Sequence, residues 1–184
     1  ELHLEVDEKL TVREAPDGYD MGDNDVVQGD ERSFTNPDGG IQFSPDNGEI
    51  IGFFYEGAKP TVVWTDEKFA RYQKAIDAAL PGRYNRISPA KEGQRMLVSS
   101  RSDRHPGTLY WFDPKSNSME RIYEVMPWIK EDQMAEVKPI EYKARDGLRI
   151  RGYLTLPKGR EAKNLPLILN PHGGPWARDT WGYD

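Results

Sequence analysis

The chain contains no cysteine. Disulfides, thiol catalysis and thiolate metal sites are therefore excluded. Histidine is scarce: His3, His105 and His172 stand far apart with no paired spacing, which argues against a zinc site. No other pattern asks for a metal or a cofactor. Basic residues are outnumbered, 25 against 31 acidic ones, for a formal net charge of −6. Phosphate binding needs a basic face, so nucleic acid is not expected as a partner. No apolar run approaches the length of a spanning helix, and no basic amphipathic stretch suggests a membrane surface. The first residue is Glu1, and nothing in residues 1–13 reads as a signal peptide. Both ends read as cut from a longer parent, which leaves the compartment open between cytoplasm and periplasm. A nucleophile elbow is missing as well: no G-x-S-x-G occurs anywhere.

What is present is enough to build a core, with 184 residues of which 36% are hydrophobic and 11% aromatic. Leu2, Leu4 and Val6, then Leu10 and Val12, alternate with polar residues as half-buried strands do. Asp17, Asp20, Asp23, Asp25 and Asp30 follow in one acidic loop. Their spacing does not match the EF-hand pattern, and a solvated acidic loop is expected rather than a bound ion.

Two segments then resemble each other. "IQFSPDNGEIIGFFYEGAKPTVVWTD" and "NRISPAKEGQRMLVSSRSDRHPGTLYWFDP" both read as Ser-Pro, a Gly turn, a β-rich run, a Pro-containing loop and an aromatic run closed by Asp. Ser44-Pro45 and Ser88-Pro89 stand 44 positions apart. A period of this size with several short strands per repeat is the signature of propeller blades. The expected strands are 49–55 and 61–64 in the first unit, and 95–100, 108–112 and 121–125 in the second. A generic antiparallel sandwich is the alternative. Between the units, Phe69, Tyr72, Ile76, Ala79 and Leu80 recur at helical spacing. Thr65 is the expected cap, Asp66 and Glu67 suit the positive end of the dipole, and Pro81-Gly82 is the stop. The stripe reads as a packing face.

After Val125 the character changes. Residues 126–139 read as a linker. "IEYKARDGLRIRGYLTLP" reads as a hairpin turning at Asp146-Gly147, with Leu148, Ile150, Leu154 and Leu156 on one face and Arg149 and Arg151 on the other. Residues 165–170 read as a short, fully buried strand leading into His172-Gly173-Gly174-Pro175. Glycines at such a junction let a backbone N–H face a developing oxyanion at close range.

"YKARDGLRIRGYLTLP" together with "LPLILNPHGGPWARDTWGYD" resembles the prolyl oligopeptidase family of serine peptidases, in particular its acylaminoacyl-peptidase and dipeptidyl-peptidase-like members. The resemblance implies a mainly β chain: partial β-propeller blades over 1–133, then the first strands of an α/β-hydrolase domain over 134–184. The parent would cleave short peptides through an acyl-enzyme. Gly174 would be the oxyanion donor, with Gly173 and His172 in the same loop and His172 orienting it through a side-chain-to-backbone hydrogen bond. Trp176, Trp181 and Tyr183 are candidates to line the substrate pocket. In this fold Ser, Asp and His follow the oxyanion loop in that order, so the triad is absent from this chain and His172 cannot supply its base. The fragment alone is expected to be inactive and prone to self-association through unpaired strand edges. A non-catalytic propeller binding module and an esterase are the competing readings.

Overall fold

A strand forms where alternating side chains can bury one face and the backbone can pair with a neighbour. The chain does this mostly between segments adjacent in sequence. The structure, a computed structural model, describes residues 39–174 and 177–184. The expected strands near Leu2 to Val12, the acidic loop, and Trp176 lie outside the described residues. The fold is mainly β, with nine strands and one α-helix among the described residues. It divides into two compact units, Glu1–Tyr72 with Pro89–Glu92, and Gln73–Ser88 with Gly93–Asp184.

In the first unit, β1 (Gly39–Phe43), β2 (Ile50–Glu56) and β3 (Pro60–Trp64) form one antiparallel sheet in that order. Ser44 and Pro45 open the β1–β2 turn. Ser44 N–H donates to Glu49 O at 2.8 Å and Gly48 N–H to Ser44 O at 2.9 Å, with Gly48 at φ +75°. β2 is rich in β-branched and aromatic residues and buries Ile51 and Phe54. The register slips between Gln42 and Phe43, opposite the start of β2. At Gly52 the neighbouring strand comes so close that a Cβ would sit 2.6 Å from Val63 O and 2.7 Å from the Trp64 ring. Trp64 stacks on Phe69, centroids 5.0 Å apart, and Phe69 meets Tyr72 edge-on.

The helix α1 spans Glu67–Ala79. Its cap is Asp66 rather than Thr65: Asp66 Oδ1 accepts the Phe69 N–H at 2.9 Å, the N3 bond that an N-cap makes. Thr65 turns its hydroxyl to Ile50 O instead. Phe69 and Ile76 are buried as the stripe requires, whereas Ala79 is exposed.

In the second unit, β4 (Tyr84–Ser88), β5 (Met96–Arg101), β6 (Thr108–Asp113) and β7 (Ser118–Glu124) form a four-stranded antiparallel meander. Its β4–β5 connection also begins at Ser-Pro and reaches a glycine at positive φ, Gly93 at +73°. Met96 pairs with Phe112 and Val98 with Ile87, all four buried. One step along, Ser100 pairs with both Asn85 and Thr108, and this row is polar yet equally buried. The sequence reading missed β1 and β4. In β4 the inward positions are Asn85 and Ile87, and a polar residue on the buried face hides the alternation. Asn85 is held locally: its Nδ2 donates to Asp77 Oδ1 at 2.9 Å, and its backbone carbonyl accepts from Gln73 Nε2 at 2.8 Å, while its side-chain Oδ1 is buried with no hydrogen-bond partner.

The connection after β7 holds a 3₁₀ turn at Glu131–Gln133, where Arg83 pairs with Glu131 at 2.9 Å. The expected linker ends early, because β8 (Val137–Lys143) already begins at Val137 and pairs with β9 (Arg149–Thr155) as the anticipated hairpin. Gly147 takes φ +89° at its turn. Glu141 lies between Arg149 and Arg151, at 3.5 and 3.8 Å, on the charged face.

Gly52→Ala is expected to destabilise the chain by about 1–3 kcal/mol, because the obstruction is a backbone carbonyl that cannot swing aside. Urea unfolding of the variant beside Gly48→Ala, where an added Cβ meets nothing within 4 Å, separates this packing cost from that of a positive φ.

Candidate functional site

The hairpin β8–β9 leads through Pro157 and a polar loop to the apolar run 165–169. The expectation of a buried strand there is not met. Residues 165–170 pair with no strand among the described residues, and Leu167, Ile168 and Leu169 are 84%, 89% and 81% exposed. A parallel-sheet strand is buried only between two neighbours and beneath helices, and no such elements are present among the described residues.

The candidate loop itself is exposed from Pro171 to Gly174. His172 Nδ1 lies 2.7 Å from Gly173 O, so the Nδ1–H tautomer donates to the loop's own backbone. Gly174 sits at φ +154°, a conformation that side chains disfavour, whereas Gly173 lies outside that region with open space around it. The loop requires glycine at Gly174 and merely accepts it at Gly173. Tyr183 is half-buried. Trp181 is 4% exposed, and its indole Nε1–H donates to Val137 O at 3.0 Å, at the start of β8.

Val137 also donates its N–H to Asp103 Oδ2 at 2.7 Å. Asp103 belongs to a buried polar cluster in the β5–β6 loop that the sequence reading did not single out. Ser102, Asp103, His105 and Thr108 are all buried. His105 Nε2 lies 2.7 Å from Thr108 Oγ1, and Ser102 N–H donates to His105 O at 3.0 Å. A run of short polar residues between strands reads as a solvated loop. Only the His-Pro-Gly step hinted at a constrained turn. Among the described residues no group of three or more His, Asp or Glu side chains could hold a metal ion, and no helix is long and apolar enough to cross a membrane.

Comparison with known proteins finds similarity to peptidases. The chain is 24% identical over 152 residues to dipeptidyl aminopeptidase BIII of Pseudoxanthomonas mexicana, covering 79% of this chain and 22% of that one. It is 24% identical over 138 residues to the uncharacterized peptidase YuxL of Bacillus subtilis, covering 65% and 21%. It is 23% identical over 167 residues to dipeptidyl peptidase family member 6 of Caenorhabditis elegans, covering 79% and 23%. The chain thus spans about a fifth of the length of the curated relatives it matches. No family model matches, and no solved structure matches.

Burial lowers the His105 pKa from its ordinary 6.5, and Arg83 adds to the effect; Glu131 and Glu124 oppose it. The imidazole is therefore neutral in the fold and takes up its proton more readily when unfolded. Its contribution to stability is complete above about pH 6.5 and is lost as pH falls through the folded value. The denaturant midpoint is expected to drop between about pH 7.5 and pH 5.5, and to drop less in His105→Gln.

Proposed function

We propose that this chain is the junction of a serine peptidase of the prolyl oligopeptidase family, joining the last part of a β-propeller (1–133) to the start of an α/β-hydrolase domain (134–184). The substrate is a short peptide, cleaved through an acyl-enzyme. The observation that carries this reading is Gly174 at φ +154° in an exposed loop directly after His172 and Gly173. The two Ser-Pro repeats and the peptidase names of the similar proteins support it. The backbone N–H of Gly174 is the donor to the tetrahedral oxyanion, which develops charge as the nucleophile attacks the scissile carbonyl. Serine, histidine and aspartate of the triad are supplied by the parent outside these 184 residues, since no G-x-S-x-G lies within them. Of the pocket candidates Trp176, Trp181 and Tyr183, we assign Trp176 and Tyr183 to the walls of the substrate pocket, whereas Trp181 is buried with its indole on Val137 O.

The exposed run Leu167-Ile168-Leu169 supports a place inside the hydrolase sheet of the whole protein. On its own the chain is expected to self-associate through this run. Light scattering after size exclusion should show oligomers that Ile168→Asp reduces; a wild-type monomer would contradict this.

In the full-length protein, Gly174→Val is expected to lower kcat roughly 100- to 1000-fold, the loss typical of one oxyanion donor. Gly173→Ala should change kcat little. A serine-directed fluorophosphonate should label the full-length protein and leave the 184-residue chain unlabelled. Labelling of the isolated chain, or none of the whole protein, overturns the peptidase reading; an unlabelled, inert whole protein points to a binding module. Hydrolysis of nitrophenyl esters with no turnover of peptidyl anilides points to an esterase.

A further inference from the structure

We propose that Asp103 and Trp181 are positioning residues for the Gly-Gly loop, acting through the two backbone groups of Val137; this rests on the oxyanion role of Gly174. Val137 opens the edge strand β8 and faces Thr155 of β9. Its N–H and C=O are taken by side chains far away in sequence, 34 residues back at Asp103 and 44 residues on at Trp181.

Trp181 matters because of what surrounds it. In the described part of 157–184 it is the sole buried residue. The run 166–174 is exposed throughout, and within it the loop holds to itself through the His172–Gly173 contact. Trp181, seven residues beyond Gly174, therefore anchors the segment that carries the candidate donor. Its indole ends on the carbonyl of Val137, whose N–H is held by the Asp103 carboxylate.

That carboxylate bond is charge-assisted and short, at 2.7 Å, and Asp103 is buried in the β5–β6 loop of the four-stranded sheet. The sheet, the first residue of the hairpin and the end of the chain are joined in series. Oxyanion stabilisation depends on a donor held within a fraction of an ångström, and a displacement of about 1 Å costs on the order of 100-fold. Loss of either bond leaves the donor chemically intact but lets its position drift, so the defect falls on the transition state rather than on substrate binding.

The test uses the full-length protein with a peptidyl anilide, a fluorophosphonate probe and hydrogen exchange of the peptide containing Val137. Trp181→Phe keeps the ring and removes the N–H. It is expected to lower kcat about 10- to 100-fold with KM within about twofold. Asp103→Ala should do the same, and Asp103→Asn, which keeps an acceptor oxygen, should recover most of the loss. Exchange at Val137 should be slow in the wild type and faster in Asp103→Ala. If the wild type neither turns over nor labels, the peptidase reading falls, and fast wild-type exchange at Val137 would independently overturn the tether. If the wild type is active and folded Trp181→Phe and Asp103→Ala keep its kcat, the positioning role is wrong while the peptidase reading stands.

Discussion

A β-strand exists only where its backbone groups have a partner, and in this chain that requirement is met almost entirely between neighbours in sequence. β1 to β3, β4 to β7, and β8 with β9 are each closed by short connections into antiparallel ladders. Each ladder satisfies its own inner hydrogen bonds and fixes the register that decides which side chains are buried. The apolar run at Leu165 to Leu169 is no less suited to a strand in composition. It pairs with no strand among the described residues, and Leu167, Ile168 and Leu169 stay in solvent. The same rule that builds the two repeats therefore also leaves the approach to the Gly-Gly loop without a sheet around it among the described residues.

The second unit shows how polar residues can stand where apolar ones are usual. Across the sheet the buried face passes from Met96 and Phe112 through Ile87 and Val98 to Asn85, Ser100 and Thr108. Burying hydroxyl and amide groups costs free energy unless they are hydrogen-bonded. Asn85 meets this at its Nδ2, through Asp77, and His105 shares a bond with Thr108, whereas Asn85 Oδ1 and Ser100 Oγ are buried without a partner. This polar end continues into the loop where Asp103 takes the Val137 N–H. The transition from apolar to polar burial marks where the sheet turns from making its own core to holding the next segment.

That arrangement gives the candidate site its character. The loop chemistry is local: two glycines, one of them in a conformation that excludes other residues, and a histidine bonded to the loop backbone. Its placement, on the tether inferred above, is not local, since it passes through Trp181 and Val137 to a carboxylate in the β5–β6 loop. Glycine makes the geometry accessible but cannot hold it, because a residue without a side chain makes no packing contact.

Much of this was legible in the sequence. The Ser-Pro repeats, five of the strands, the helix and the Asp146-Gly147 hairpin follow from periodicity and turn chemistry, which act over a few residues. The Gly-Gly loop was visible for the same reason. β1 and β4 were not found, and in β4 the cause is plain: Asn85 occupies a core position, and only the helix beside it shows why an amide can be buried there. Thr65 and Asp66 were equally suitable caps by composition; the position of the first helical turn chose Asp66. Asp103 carried no signal, and Trp181 stood out only as a pocket candidate beside Trp176 and Tyr183, because a short polar loop and a tryptophan acquire a tethering role only from Val137, which lies dozens of residues from either. The sequence by itself determined the local elements, since their energetics depend on neighbours along the chain. The tertiary structure alone decided which polar groups are buried, which apolar run is left exposed and what holds the loop, since each of these depends on partners that meet only when the chain folds.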